Sequence, residues 1–148
     1  MLIYTSGQML TLQGPPQRGV NLGSLGIIEN SAIWIEDGII SEIGSKETMK
    51  TKFKGEKFID VGNKVIMPGF VDAHTHVIWA GDRAGEFEER LEGKSYLDIL
   101  QEGGGINATV TATRMAGEET LSAETEKRLW KLLAHGTTTI EAKTGYGL

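Results

Sequence analysis

Short apolar runs broken by glycine open the chain. Leu2 to Tyr4 and Met9 to Leu12 are β-favouring pieces on either side of Ser6-Gly7, and both predict strands. Gly14-Pro15-Pro16 begins a polar, glycine-dotted stretch that predicts a loop to about Gly26. Ser31 to Gly44 has the clearest hairpin pattern. Ala32-Ile33-Trp34-Ile35 and Ile39-Ile40-Ser41-Glu42-Ile43 flank Asp37-Gly38, a pair suited to a tight turn because glycine accepts positive φ. Phe58 to Val61 and Lys64 to Met67 add two strand candidates around Gly62-Asn63. Residues 1–64 thus predict a small β-rich unit.

The pattern changes after Pro68-Gly69. Phe70 to Ala73 predicts a short buried strand that runs into His74-Thr75-His76. Ser95 to Gln101 suits a short helix, with Ser95 as cap and Asp98 at the third position. Gly103-Gly104-Gly105 breaks it, and Asn107 to Met115 suits another. Glu118 to His135 is the best helical pattern, with acidic residues in its first turns and Leu121, Leu129, Trp130, Leu132 and Leu133 gathered towards one side. Gly136 suits its end. Thr137 to Glu141 then predicts a second strand. Strand, helices and strand make a βα unit and the start of the next, which implies a parallel sheet. A (β/α)8 barrel takes about 250 residues, more than remain after residue 65, so the pattern leaves a smaller fold or a barrel cut short, and the second is the expectation.

Composition narrows the chemistry. The chain has no cysteine, which removes disulfides and thiolate metal sites and fits a reducing cytoplasm. A net charge of -5 argues against nucleic acid or an anionic membrane as partner. Met1 to Leu12 has no basic start with a long apolar core, so no signal peptide is expected.

His74 and His76 are the candidate metal ligands. Residues i and i+2 of a strand face the same way, so both imidazoles can converge on one ion, and neutral imidazole suits zinc or iron. Taken alone, His-x-His is more often incidental. Its setting changes that: Val65-Ile66-Met67-Pro68-Gly69-Phe70-Val71-Asp72-Ala73-His74-Thr75-His76 resembles the first-strand motif of the amidohydrolase superfamily, and the hairpin before it resembles that superfamily's β-sandwich part.

Beyond His76 the chain is similar to the imidazolonepropionase family within that superfamily. The matching residues are Ala80-Gly81-Asp82-Arg83, Glu86-Phe87, Arg90-Leu91, Gly93, Ser95-Tyr96, Gly103 to Ile106, Thr113-Arg114 and Lys143-Thr144-Gly145-Tyr146-Gly147-Leu148. Thr144 departs from the family's usual serine but keeps a hydroxyl. The resemblance covers essentially the whole chain and implies an α/β fold: a β-sandwich part over residues 1–64, then the first βα units of a (β/α)8 barrel over residues 65–148, truncated. It implies one divalent zinc or iron ion on His74 and His76. Water activated by the cation would open the cyclic amide of 4-imidazolone-5-propanoate to N-formimidoyl-L-glutamate, a step of histidine degradation.

The same resemblance implies that Arg83 holds the substrate's carboxylate, as a guanidinium can bidentately, and that the Tyr146 hydroxyl hydrogen-bonds the substrate. It implies a cytoplasmic, homodimeric whole protein acting on a small molecule. The acid/base residues and remaining ligands would lie outside these 148 residues. A catalytic zinc takes three protein ligands, so this chain alone is expected to be inactive.

Plainer readings stand beside these. Arg83 can form a surface ion pair with Glu86 or Glu88, and Tyr146 can be a loop aromatic. Asp72 reads as structural, His135 as a helix-terminal histidine, Lys143 as a polar barrel residue and Gly103 to Gly105 as a mobile loop. Other amidohydrolases, such as guanine or cytosine deaminases or dihydroorotase-like cyclic amidases, share Pro-Gly-Phe-Val-Asp and His-x-His. Arg83 together with Lys143 to Leu148 separates them, because a neutral purine has no carboxylate to hold. A non-catalytic fragment is the remaining alternative.

Overall fold

The computed structural model describes residues 1–146, the side chain of Asn21 excepted. The chain divides into two compact units, Met1–Pro68 and Gly69–Leu148.

In the first unit, β1 (Leu2–Tyr4), β2 (Gln8–Leu10), β3 (Ile27–Glu29), β4 (Ser31–Glu36), β5 (Ile39–Ser45) and β6 (Phe58–Asp60) build two sheets, with helix α1 (Lys46–Lys52) between β5 and β6. The larger sheet has the order β5-β4-β1-β6, and β2 pairs with β3. β1 runs antiparallel to β4 and parallel to β6, so both of its edges are bonded. The β4–β5 turn is the expected one: Asp37 and Gly38 take φ of 51° and 79°, the two positive values of a tight hairpin turn. Ser45 ends β5 and caps α1, accepting from the Thr48 N–H at 3.1 Å. Met49 is thereby carried into a core with Leu2, Tyr4 and Ala32, with Trp34 and Phe53 packed against it.

Thr5, wholly buried, ties this unit together. Its hydroxyl has one proton, which points between the Lys64 and Gly62 carbonyls at 2.6 and 3.1 Å, and its oxygen accepts from the Gly7 N–H at 2.9 Å. That arrangement shortens the strand expected over residues 64–67. The Lys64 carbonyl is taken by Thr5 and Pro68 has no N–H to give, so only Ile66 pairs, as a single bridge to Met9. Ile66 accepts from Leu10 and donates to Gln8, which places these residues with the first unit. β3 and α1 lie where the apolar pattern predicts no element, because both are too short to show a period.

The second unit is a βα succession: β7 (Phe70–Thr75), α2 (Ala84–Leu91), α3 (Tyr96–Gln101), α4 (Ile106–Met115), α5 (Glu118–Ala134) and β8 (Thr137–Ala142). β7 and β8 pair in parallel, from Phe70 opposite Thr137 to Thr75 opposite Ala142, the mixed α/β order the pattern predicts. Ser95 caps α3 as expected, accepting from the Asp98 N–H at 3.2 Å. His135 is the C-cap of α5 and Gly136 comes next at φ 91°, the left-handed position that glycine fills at little cost.

The structure corrects the expectation of a buried strand over Phe70 to Ala73: Phe70 and Val71 of β7 are 53% and 69% exposed. No residue of α5 is fully buried. Among the described residues β7 has β8 as its one partner, so its other edge is unpaired. α2 lies where the pattern predicts no helix. Its signal is the spacing of Ala84, Phe87 and Leu91, which is weak beside charged and glycine neighbours.

Candidate metal centre and substrate pocket

Strand β7 delivers the two histidines at its C-terminal end. Asp72 Oδ1 accepts from the His74 N–H at 3.1 Å, a local turn contact that fits its structural reading. The His74 and His76 ring centroids are 5.3 Å apart with planes crossed at 70°. Two imidazoles bound tetrahedrally to one cation, with metal–nitrogen bonds of about 2.0–2.1 Å, have centroids about 5 Å apart. The separation of the pair is close to that value. His76 Nδ1 lies 3.1 Å from the Lys143 carbonyl oxygen. A carbonyl only accepts, so Nδ1 carries the proton and the Nε2 lone pair is left free. Metal-binding histidines usually have such a second partner. No group of three or more His, Cys, Asp or Glu side chains forms a metal cluster among the described residues.

Tyr146, in the segment after β8, joins this cluster: its ring centroid is 5.4 Å from that of His76 at 53°. Gly147 and Leu148, which complete the expected motif, lie outside the described residues. Lys143 pairs with Glu141 through its ammonium while its carbonyl serves His76.

Arg83 stands at the N-cap of α2. Its Nε donates to Glu86 Oε2 at 2.8 Å, the ion pair anticipated for it. The other Glu86 oxygen accepts from the Gly105 N–H at 2.9 Å. Partial burial pushes the Glu86 carboxyl up, but the hydrogen bonds from Arg83 and Gly105 and the guanidinium charge together hold it below the ordinary glutamate value. Gly103 to Gly105 is thus anchored at its last residue. The pair engages one guanidinium nitrogen of Arg83, and a planar guanidinium has two more. The geometry gathers His74, His76 and Tyr146, whereas Arg83 is engaged with Glu86.

The sequence pattern does not mark the residues that hold the loop after the histidines. Trp79 Nε1 donates to the His76 carbonyl at 3.2 Å. The Arg128 guanidinium lies over the Trp79 ring, 3.7 Å from its centroid, and donates to the Val77 and Trp79 carbonyls at 2.9 and 2.8 Å. Thr125 adds a bond to the Val77 carbonyl at 3.2 Å. The contacts from Thr125 and Arg128 join residues 48 to 51 positions apart, so no local pattern announces them. A cavity of about 450 Å³ lies beside this clamp, lined by Thr75, His76, Val77, Trp79, Arg128, Lys131, Leu132 and His135. His135 Nδ1 is 2.7 Å from the Lys131 carbonyl, the helix-terminal role expected of it.

The fold has known counterparts. The guanine deaminase of E. coli matches 95% of this chain and 30% of its own, with a TM-score of 0.63 and 22% identity. The aminofutalosine deaminase of Helicobacter pylori, solved with methylthio-coformycin, matches 95% of this chain and 29% of its own, with a TM-score of 0.59 and 18% identity. The chain thus shares the mixed α/β fold of the matched part of these two deaminases.

Sequence similarity points more narrowly. The imidazolonepropionase of Geobacillus sp. (strain WCH70) is 43% identical over 155 residues, covering all of this chain and 37% of that protein. Those of Clostridium tetani and Herpetosiphon aurantiacus are 43% and 45% identical and are covered over 36% and 34% of their lengths. No family model matches the chain. The chain resembles the N-terminal part of imidazolonepropionases and spans little more than a third of their length.

Proposed function

We propose that this chain supplies the first metal ligands and part of the substrate pocket of an imidazolonepropionase, which hydrolyses the cyclic amide of 4-imidazolone-5-propanoate to N-formimidoyl-L-glutamate. The observation that carries the reading is identity of 40–45% along the whole chain to proteins of that name. In this reading residues 1–64 belong to a β-sandwich part and β7 and β8 are the first two strands of a (β/α)8 barrel, whose chemistry gathers at the C-terminal strand ends. Both histidines leave β7 at that end.

His74 and His76 would hold one zinc or iron ion, with further ligands from the rest of the whole protein. When bound, the cation supplies a Lewis acid and lowers the pKa of water. The residues of this chain do the positioning. Lys143 fixes the His76 tautomer through its carbonyl. Tyr146, against His76, can give its hydroxyl to the substrate. Arg83, held through Nε by Glu86, keeps two nitrogens for the propionate carboxylate, so the ion pair and the substrate role are compatible.

The test is turnover of 4-imidazolone-5-propanoate by the full-length protein loaded with zinc or iron, beside Arg83→Ala. Loss of a charged hydrogen-bond pair is expected to raise KM roughly 10- to 100-fold with a smaller change in kcat. No turnover of this substrate, with release of ammonia from guanine instead, would replace the reading with that of a deaminase. Unchanged KM in the variant would remove Arg83 from the site.

A further inference from the structure

We infer that Gly145 is a positioning residue for His76, and that the absence of a side chain there decides which imidazole nitrogen faces the cation. The inference rests on the reading of His76 as a metal ligand. A Cβ placed on Gly145 would lie 2.5 Å from His76 Cε1, 3.1 Å from Cγ and closer still to Nδ1. Real Cβ atoms do not approach a ring that closely, so either the imidazole or the Lys143–Tyr146 segment would have to move.

The constraint is one of space. Gly145 does not take the left-handed φ that twelve other glycines take among the described residues, so its backbone accepts alanine without strain. The three atoms nearest to such a Cβ all belong to His76.

The same short segment does three things at once. Lys143 accepts from Nδ1 at 3.1 Å, Gly145 lies against the ring, and Tyr146 leans on it at 5.4 Å between centroids. A shift large enough to admit a methyl group breaks the Nδ1 contact. The ring is then free to rotate or to exchange tautomers, and Nε2 is no longer the fixed lone pair. Trp79 holds the His76 backbone separately, through the carbonyl, so the main chain is kept from moving with the ring.

Four variants of the full-length protein test this: Gly145→Ala, His76→Ala, the double variant, and Gly117→Ala as a control, because nothing lies within 4 Å of a Cβ at Gly117. Zinc affinity is measured by calorimetry and Tm is measured without metal. Gly145→Ala is expected to weaken zinc binding about 10- to 100-fold, as loss of a ligand's outer partner does, and to lower the metal-free Tm. In the His76→Ala background the same substitution is expected to change Tm no more than Gly117→Ala does. If Gly145→Ala does not fold, recovery of folding in the double variant supports the inference and continued failure overturns it. Zinc affinity equal to wild type in Gly145→Ala, alongside loss in His76→Ala, would also overturn it. Zinc affinity retained in His76→Ala would instead sink the metal reading on which it rests, while the metal-free Tm cycle still reports whether the ring excludes the methyl group.

Discussion

The two units use similar sequence material with opposite results. β1 and β7 are both short apolar strands that lead into polar residues. Yet Leu2 and Tyr4 are each 3% exposed, whereas Phe70 and Val71 are more than half exposed. β1 is bonded on both edges and covered by α1, which puts Met49 on the sheet at 1% exposure. Among the described residues β7 is bonded on one edge, and no residue of the 17-residue α5 is fully buried. A seven-residue helix thus completes a core that a helix more than twice as long does not. An apolar pattern marks which face an element can bury; whether it is buried depends on the neighbours present.

The largest expected effect is a contrast in mutational cost. Met49→Ala removes a fully buried side chain from a closed core and is expected to destabilise the first unit by roughly 2–5 kcal/mol. Trp130→Ala removes a larger side chain that is 63% exposed and is expected to stay within about 0.5 kcal/mol. Chemical denaturation of the two variants of the 148-residue chain would check this. A larger loss from Trp130→Ala would mean that α5 is covered in solution, and the contrast between the units would disappear.

Thr5→Val tests the polar side of the first unit. The substitution keeps the shape and removes one hydroxyl that serves two carbonyls and one N–H in a buried position. Stranding those groups is expected to cost about 1–3 kcal/mol, read as a lower denaturation midpoint. A neutral result would mean that the carbonyls and the Gly7 N–H find other partners, and that the unit is looser than its exposures imply.

The legibility of these features in the sequence tracks the range of the contacts involved. The Asp37-Gly38 turn, the Ser95 cap and the end of α5 at His135-Gly136 are set by residues within a few positions of one another, and local chemistry predicts them. The parallel pairing of β7 and β8 is implied by the order of elements. His74 and His76 emerge from strand periodicity joined to a motif. Thr5 meets its carbonyl partners 57 and 59 positions away, and Arg128 clamps the Val77–Trp79 loop from 49 and 51. Their side chains carry no local sign of those roles. The same is true of Gly145, whose meaning lies in a ring far earlier in the chain. The exposure of β7 is not legible either, because a run of apolar residues looks the same whether or not a second edge is paired.

In the second unit the long-range clamp is expected to matter less for stability than for order. Arg128→Lys keeps a charge but loses the flat stack on Trp79 and one of the two carbonyl bonds. A stability loss of about 1 kcal/mol is expected. Amide hydrogen exchange should speed up over residues 77–83 more than elsewhere. Uniform acceleration across the unit would show that Arg128 supports the whole fold and not this loop.

The smallest effect is a pH dependence carried by the Arg83–Glu86–Gly105 link. In the folded chain the Glu86 carboxyl titrates below its ordinary value, despite partial burial, because Arg83 and the Gly105 N–H favour the charged form. A group whose folded pKa is lowered adds stability above its unfolded pKa, and that stability is lost as pH falls through the folded one. Glu86→Gln keeps the shape and removes the titration. Between about pH 6 and about pH 3 the wild-type Tm is therefore expected to fall more steeply than that of the variant, with the two curves converging at the acid end. High salt should narrow the gap, since Arg83 is 43% exposed and its attraction to Glu86 is screened. Parallel curves would mean that the ion pair is not held in solution. Arg83 would then be a free guanidinium, and the second unit would have lost a polar link that joins the start of α2 to the start of α4.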